Sequence, residues 1–404
     1  MRTLGALRVA LQRYSRPYRL SLAVALCFFT SMHLLTAPLP LYTAHLGGNA
    51  VAVGLVSGLF AGSALLSRFP VGWLADRTRR WWLLWAGCSI YVLASLGYLA
   101  ARSVPAVLLL RLFHGVGISL FTTGYTALAA DLSPADRRGE ALGLAGTAGP
   151  ITLLFAPALG DGVRLTWGFG AAFLLAAVAA LGGLGLLAFL PRRAGHAPSP
   201  FPLQGTARRM PLRDVPWSAI LGLAACGSAF SALYAFLPTF AVERNQVTAA
   251  PFFVTFSLAL IGARVVLGAG SDRWGRQTVV LPSLATMALA LWVVASTQNW
   301  MWMIAAGLLA GAGQGAARAA LEAAAVDGAN AARRGWAVNA AWLGFDLGIA
   351  VGSVAWGPVA EALGYGPMFG VAGAVGFAFA GVLALWPWRG HSESAADWGG
   401  QGRG

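Results

Sequence analysis

Two stretches that lie 196 residues apart in the chain share a charge pattern: residues 68–80 read RFPVGWLADRTRR and residues 264–276 read RVVLGAGSDRWGR. At this offset Arg68, Gly72, Asp76, Arg77 and Arg80 align with Arg264, Gly268, Asp272, Arg273 and Arg276. The same offset superposes Gly115, Gly117, Asp131 and the run 137–139 on Gly311, Gly313, Asp327 and the run 333–335. So many coincidences at a single offset predict one structural unit that is used twice.

The chain around these stretches is apolar. Of its 404 residues 58% are hydrophobic and 10% are charged, whereas about a quarter of a soluble domain is charged. Twelve apolar runs have the roughly 20-residue length of a membrane span, at about 20–42, 51–71, 81–100, 104–130, 140–160, 166–190, 216–240, 250–270, 277–297, 301–326, 336–358 and 367–388. We therefore predict an all-α polytopic membrane protein with twelve transmembrane helices in two six-helix bundles.

The only long interior loop, rich in Pro and Arg, divides the runs into two sets of six. It predicts an N-terminal six-helix bundle over 1–191, a cytoplasmic central loop over 192–215, a C-terminal six-helix bundle over 216–390 and a cytoplasmic tail over 391–404. Parallel repeats of six spans are the architecture of one large class of secondary transporters.

All 28 basic residues are arginines, and their placement predicts the orientation in the membrane. When loops are assigned alternately to two sides, 21 arginines fall on the side of the N-terminus, three on the other side and four within spans. By the positive-inside rule both termini are cytoplasmic. The arginines form no single solvated face, which argues against nucleic-acid binding. The three cysteines lie in apolar runs and predict neither disulfides nor a metal site.

The repeated loop carries a family resemblance. Residues 72–80 resemble the GxLaDrxGrr signature of the major facilitator superfamily, with Arg79 in place of its glycine, and residues 268–276 keep that glycine as Gly275. Residues 111–117, RLFHGVG, resemble the RxxqGxG motif of the fourth span, with His114 in place of glutamine. The resemblance covers nearly all of residues 15–390 and looks most like bacterial drug and metabolite proton antiporters. The fifth-span glycine-proline motif of antiporters is only partly present.

Charged residues at the cytoplasmic ends of the spans are candidates for a gate. Carboxylates there can accept hydrogen bonds from a facing helix N-terminus, and arginines beside them can pair with them. The alternative is that these charges only fix topology, because exposed ion pairs are individually weak. The candidate gate residues are Gly72, Asp76, Arg77, Arg80, Gly268, Asp272, Arg273, Arg276, Asp131 and Asp327.

Six polar residues inside the spans are candidates for proton coupling or for lining a cavity, because ionisable groups in a membrane are costly and usually functional. The family resemblance links Arg111 to proton coupling, and His114 follows one turn later. Asp346 lies near the expected midplane, where a carboxyl group could carry a proton or pair with Arg318. Structural roles remain alternatives for the histidines and for Asp346. The set is Asp346, Arg111, His114, His33, Arg318 and Glu322.

Several functions are excluded or disfavoured. The chain has no lysine and so no GxxxxGK[ST] sequence, which excludes ATP-driven pumping by this polypeptide. It has no HExxH and no GxSxG, and we expect no enzyme activity, cofactor or metal.

The leading hypothesis is a monomeric secondary active transporter of a bacterial inner membrane. It would export a small organic compound, a drug or a metabolite, against inward proton flow. The expected partners are the lipid bilayer, the substrate and protons, without nucleic acid. The alternatives are a sugar or organic-acid facilitator or importer, and a non-transporting receptor with the same fold.

Overall fold

A computed structural model of the chain describes residues 13–134, 137–191, 215–296, 299–327, 329, 334–386 and 388. Within these ranges the regular structure is helical and there is no β-strand. The helices in chain order are α1 (Arg16–Leu34), α2 (Pro38–His45), α3 (Ala50–Arg77), α4 (Arg80–Ala100), α5 (Val104–Asp131), α6 (Arg138–Ala145), α7 (Ala148–Ala188), α8 (Trp217–Glu243), α9 (Ala250–Trp274), α10 (Arg276–Ala295), α11 (Trp300–Asp327), α12 (Arg334–Leu363) and α13 (Tyr365–Leu385).

Nine helical stretches of the described chain are long and apolar enough to cross a membrane. The longest, Arg138–Ala188, has 51 residues, which is ~76 Å of helix at 1.5 Å per residue. That is more than twice the roughly 30 Å of a bilayer core. The backbone leaves the helical conformation at Gly168, with φ 82° and ψ 176°, so this stretch supplies two spans.

Two further helices, α9 and α11, complete the set of twelve spans. They carry several charges and many glycines, which lowers their hydropathy, yet they pack against each other over three helical turns. Gly307, Gly311 and Gly315 of α11 face the backbone carbonyls of Phe252, Phe256 and Leu260 in α9. Small residues at this spacing let two membrane helices approach closely. The fold is therefore the all-α polytopic fold that the sequence predicts, with twelve spans in two bundles of six.

Two predicted spans are interrupted helices. The run predicted over 20–42 divides into α1 and α2, and the run predicted over 140–160 begins as α6 and continues as α7 after a break at Gly146–Thr147. Pro38 and Pro40 explain the first break, because proline has no N–H to donate to the preceding turn and is favoured where a helix begins. The central loop over 192–215, apart from Val215, and the tail over 391–404 lie outside the described residues.

The two halves repeat the same helix contacts at the offset found in the sequence. Gly115 of α5 faces the carbonyl of Phe60, and Gly311 faces that of Phe256, 196 residues later in both members of the pair. The second glycine of the motif behaves alike, since Gly117 faces the ring of Tyr91 and Gly313 faces Met287, again at this offset. Both glycines of the RxxHGxG stretch therefore serve close packing within a half.

The halves meet along two pairs of helices, α3 with α12 and α7 with α9. We call the face that carries the start of α1 and the end of α13 the terminal face, and the other the far face. Helices α3 and α12 run in opposite directions, and small residues bring them close near the far face: a Cβ atom at Gly357 would lie 2.9 Å from the Cα of Val51. Helices α2 and α8 also touch there.

Replacing Gly311 by alanine should destabilise the fold. The added methyl group would meet the backbone of Phe256, 2.9 Å from its Cα atom, and overpacking of this kind costs about 1–3 kcal/mol. Unfolding of the purified protein in mixed detergent micelles measures the loss, and Gly115→Ala should show a similar loss.

The matched control is Gly185→Ala, since no atom lies within 4 Å of a Cβ at Gly185 in α7. It should be neutral or slightly stabilising, because alanine favours a helix over glycine. Equal stability of all three variants would contradict the packing described for α9 with α11.

Candidate functional site

Five charged side chains from four helices lie close together between the two halves. They are Arg68 of α3, Arg264 of α9, Arg318 and Glu322 of α11, and Asp346 of α12. Arg68 and Arg318 each precede the terminal-face end of their helix by nine residues, or ~13 Å at 1.5 Å per residue. These charges therefore form one layer in the terminal-face part of the bundle.

An ion pair joins the halves in this layer. Nη2 of Arg68 lies 2.7 Å from Oδ2 of Asp346, and the side chains are 36% and 19% exposed. Among the residues that the structure describes, it is the one ion pair between the N-terminal and C-terminal halves. The sequence suggested Arg318 as the partner of Asp346, and the structure places Arg68 there.

The other three charges belong to the C-terminal half. Nη2 of Arg264 is 3.2 Å from Oε2 of Glu322, whereas Nε of Arg318 is 4.0 Å from Oε1 of the same carboxylate. The guanidinium of Arg318 instead lies over the rings of Trp342 and Phe345, at 4.2 and 4.9 Å from their centroids. Cation–π contacts of this kind are attractive but leave the positive charge uncompensated.

Arg111 lies apart from this layer, on the far-face side of α5. Its Nε donates to the carbonyl of Val56 over 2.8 Å, and its guanidinium lies 4.2 Å from the centroid of Phe60. It lines a small cavity together with Thr36 and Tyr234. Arg111 is thus held by a carbonyl and an aromatic ring, without a carboxylate partner among the described residues.

The two candidate histidines are buried and hydrogen-bonded. Nδ1 of His114 lies 3.2 Å from the hydroxyl of Tyr98, and its ring packs edge-on against Tyr91 at 4.0 Å. Nδ1 of His33 lies 2.8 Å from the hydroxyl of Thr152 in α7. Both histidines tie helices together within the N-terminal half, and neither contacts the charged layer.

The terminal-face candidates form repeat-related ion pairs inside each half. Arg80, at the start of α4, lies 3.7 Å from Asp131 at the end of α5, and donates to the carbonyl of Ala75. Arg276 lies 2.8 Å from Asp327, which is the same pair 196 residues later. Each pair fastens the third helix of its half to the end of the fourth.

The remaining gate candidates lie beside these pairs. Asp272 is 2.5 Å from Arg276, whereas Arg77 folds back over the ring of Trp73. Gly72 is buried in α3, and Arg273 is exposed near the end of α9. The side chain of Asp76 and the surroundings of Gly268 lie outside the described part of the chain.

Contacts between the halves close the far face. The hydroxyl groups of Thr36 and Tyr234 are 2.9 Å apart, and the backbone N–H of Ala50, at the start of α3, donates to Oε2 of Glu361 over 2.8 Å. The second contact caps the N-terminus of α3, where a carboxylate is favoured. At the terminal face, by contrast, the described ion pairs stay within one half.

Sequence reasoning missed four contributors to the site: Arg68, Arg264, the Thr36–Tyr234 contact and Glu361. A signal existed for the arginines, because each is an ionisable residue within a span and each is the repeat counterpart of the other. No comparable signal marked the far-face contacts, since hydroxyl groups in spans are common. In the described ranges no group of three or more His, Cys, Asp or Glu side chains could hold a metal ion.

The coupling between Arg68 and Asp346 can be measured with Arg68→Gln, Asp346→Asn and the double variant. Each single change leaves a half-buried charge without its partner, so the double variant should be more stable than the sum of the single effects implies, by about 0.5–3 kcal/mol. Equilibrium unfolding in mixed micelles gives the three values. Strict additivity would show that the two groups do not interact in the membrane.

Comparison with known proteins agrees with this architecture. The family model for the major facilitator superfamily matches residues 20–269 and 246–403. The uncharacterized MFS-type transporter MJ1560 of Methanocaldococcus jannaschii is 21% identical over 341 residues, which cover 81% of this chain and 87% of that protein. The uncharacterized MFS-type transporter YhhS of Escherichia coli is 27% identical over 307 residues, covering 72% and 74%.

A solved structure shares the fold. The crystal structure of a POT family transporter in complex with a thioalcohol-conjugated peptide has a TM-score of 0.76 and 15% identity, and covers 92% of this chain and 96% of that one. The match of the family model over most of the sequence, together with the twelve spans in two repeated halves, leads to one conclusion: this multi-pass membrane protein belongs to the major facilitator superfamily of membrane transporters.

Proposed function

We propose that the chain is a proton-coupled secondary transporter that exports a small, partly apolar organic compound by alternating access. The terminal face is cytoplasmic in this proposal, since loops on that side carry 21 of the 28 arginines. Two halves that rock about a central site are the general mechanism of transporters built from such repeats.

The observation that carries the proposal is the ion pair between Arg68 and Asp346. It combines a carboxyl group that can bind and release a proton with a partner on the opposite half. Protonation of Asp346 removes its charge and with it the attraction to Arg68. The free energy of the contact between α3 and α12 thus depends on whether Asp346 holds a proton.

The state of the molecule gives this dependence a direction. The far face is closed by Thr36 with Tyr234 and by Ala50 with Glu361, and Arg68 contacts Asp346 in the layer nearer the terminal face. We assign this conformation to the step after a proton has left toward the cytoplasm. Asp346 is then ionised and paired, and the substrate enters from the terminal face.

Export requires the far-face contacts to separate and Asp346 to meet protons from that side. Once Asp346 is protonated, Arg68 loses its partner, and the halves can return to the conformation closed on the far face only when the proton is released again. The repeat-related pairs Arg80–Asp131 and Arg276–Asp327 hold each half rigid during this motion, because they join helices of the same half.

Replacing Asp346 by asparagine should abolish proton-coupled transport. Inside-out vesicles acidified by respiration are tested with ethidium, 2-naphthoate and glucose, and a pH-sensitive dye reports proton release when a compound is added. Wild-type protein should release protons with an amphipathic probe and not with glucose. The Asn variant should release none, because it cannot carry the proton.

The control for this experiment is Glu243→Gln, which changes an exposed carboxylate at the end of α8 and should behave as wild type. Proton release by the Asn variant would remove Asp346 as the carrier. Exchange of labelled compound without any pH change would instead support a facilitator, and binding without exchange would support a receptor.

Linking Thr36 to Tyr234 should arrest the cycle. In a variant without Cys27, Cys88 and Cys226, cysteines at these two positions are joined by a short bifunctional thiol reagent. Because the hydroxyl groups are 2.9 Å apart here, the link should form and hold the far face closed, and reduction should restore transport. Full transport with the link intact would contradict alternating access at this face.

A further inference from the structure

The charged layer between the halves does not balance. It holds three guanidinium groups, of Arg68, Arg264 and Arg318, and two carboxylates, of Asp346 and Glu322. An unbalanced charge inside a membrane protein is expensive unless something compensates it. The layer therefore carries one positive charge more than it can pair.

The distances identify which arginine is left over. Asp346 contacts Arg68 at 2.7 Å and Glu322 contacts Arg264 at 3.2 Å. In the described chain, Glu322 is the only carboxylate within 4.0 Å of Arg318, and it lies at that limit. Nε of Arg318 is buried and has no hydrogen-bond partner. Arg318 is thus the cation without an anion.

The surroundings of Arg318 suit an organic molecule. Trp342 and Phe345 of α12 lie against the guanidinium, and Trp342 is only partly buried. Cys226 of α8, a small apolar side chain, is near enough to act on the charge of Arg318. An anionic group bound to Arg318 would therefore lie beside aromatic surface that an apolar body could cover.

The chemistry of arginine narrows the ligand further. A guanidinium presents its N–H groups as a planar fork that matches the two oxygens of a carboxylate or phosphate, and it is the preferred residue for binding such groups away from water. A cationic compound would add a second uncompensated charge. A neutral compound would leave the first one unchanged.

We propose that Arg318 binds the carboxylate or phosphate group of the transported compound, so that the substrate is an amphipathic organic anion whose apolar part lies on Trp342 and Phe345. This inference rests on the proposed transport function but is tested by binding alone. A failure of proton coupling would therefore leave it standing, and a failure of binding would leave the proton assay to be judged by itself.

The experiment compares three compounds that share one aromatic body: 2-naphthoate, the neutral 2-naphthamide and the cationic 2-naphthylmethylammonium. Thermal unfolding of the purified full-length protein is followed as each compound is titrated, because a ligand that binds the folded state raises the unfolding temperature. Decanoate and phenyl phosphate extend the anionic arm. Inorganic phosphate and nanodiscs with or without phosphatidylglycerol test a bare anion and a lipid headgroup.

Saturable stabilisation by the organic anions, at least tenfold weaker with the amide and the ammonium compound, is the expected result. Arg318→Gln should abolish it, and Arg318→Lys should weaken it about tenfold, since lysine keeps the charge without the fork. Arg77→Gln, which changes an exposed arginine over Trp73, should bind as wild type.

A measurement without ligand separates binding from structure. If Arg318 is an uncompensated cation, ligand-free Arg318→Gln should unfold at the same temperature as wild type or higher, whereas a structural arginine would lower that temperature. Equal stabilisation by naphthoate and naphthamide, or an undiminished effect in Arg318→Gln, would overturn the proposal. So would a lack of response to every organic anion, or a response only to phosphate or to phosphatidylglycerol.

Discussion

An arginine within a membrane span must have its charge compensated by the protein, and this requirement organises the interior of the molecule. Each of the four span arginines meets it differently. Arg68 uses a carboxylate of the other half, Arg264 a carboxylate of its own half, Arg111 a backbone carbonyl and Arg318 two aromatic rings. The positions of α3, α9, α11 and α12 relative to one another follow from these contacts.

The contact between α3 and α12 combines two kinds of interaction with different consequences. Near the far face, Gly54 and Gly357 let the backbones touch, and such close packing has no chemical switch. Nearer the terminal face the contact is the ion pair of Arg68 with Asp346, whose strength changes with one proton. A close-packed end and a titratable end on the same pair of helices are what a rocking motion needs.

The sequence predicted what the repeat and the apolar runs encode, and little of what depends on how the halves meet. The offset of 196 residues brought Arg80 with Asp131 and Arg276 with Asp327 into equivalent places, and the structure pairs them. Asp346 lies 278 residues from Arg68, and no local pattern connects them. Which faces of α3 and α12 meet is decided by packing across the whole molecule, so sequence reasoning left Asp346 between a free carrier and a pair with Arg318.

The same offset separates residues that serve the fold from residues that serve a function. Both halves keep the glycines of α5 and α11 and the ion pairs at the terminal face, where each half needs the same packing. Inside the membrane the halves differ: the counterparts of Arg318, Glu322, Asp346 and Arg111 are Thr122, Thr126, Pro150 and Gly307. Packing alone would need these charges in both halves or in neither. Because three of them lie only in the C-terminal half and face α3 or α12, that half supplies most of the charged chemistry, and the N-terminal half supplies Arg68 as the group on which it acts.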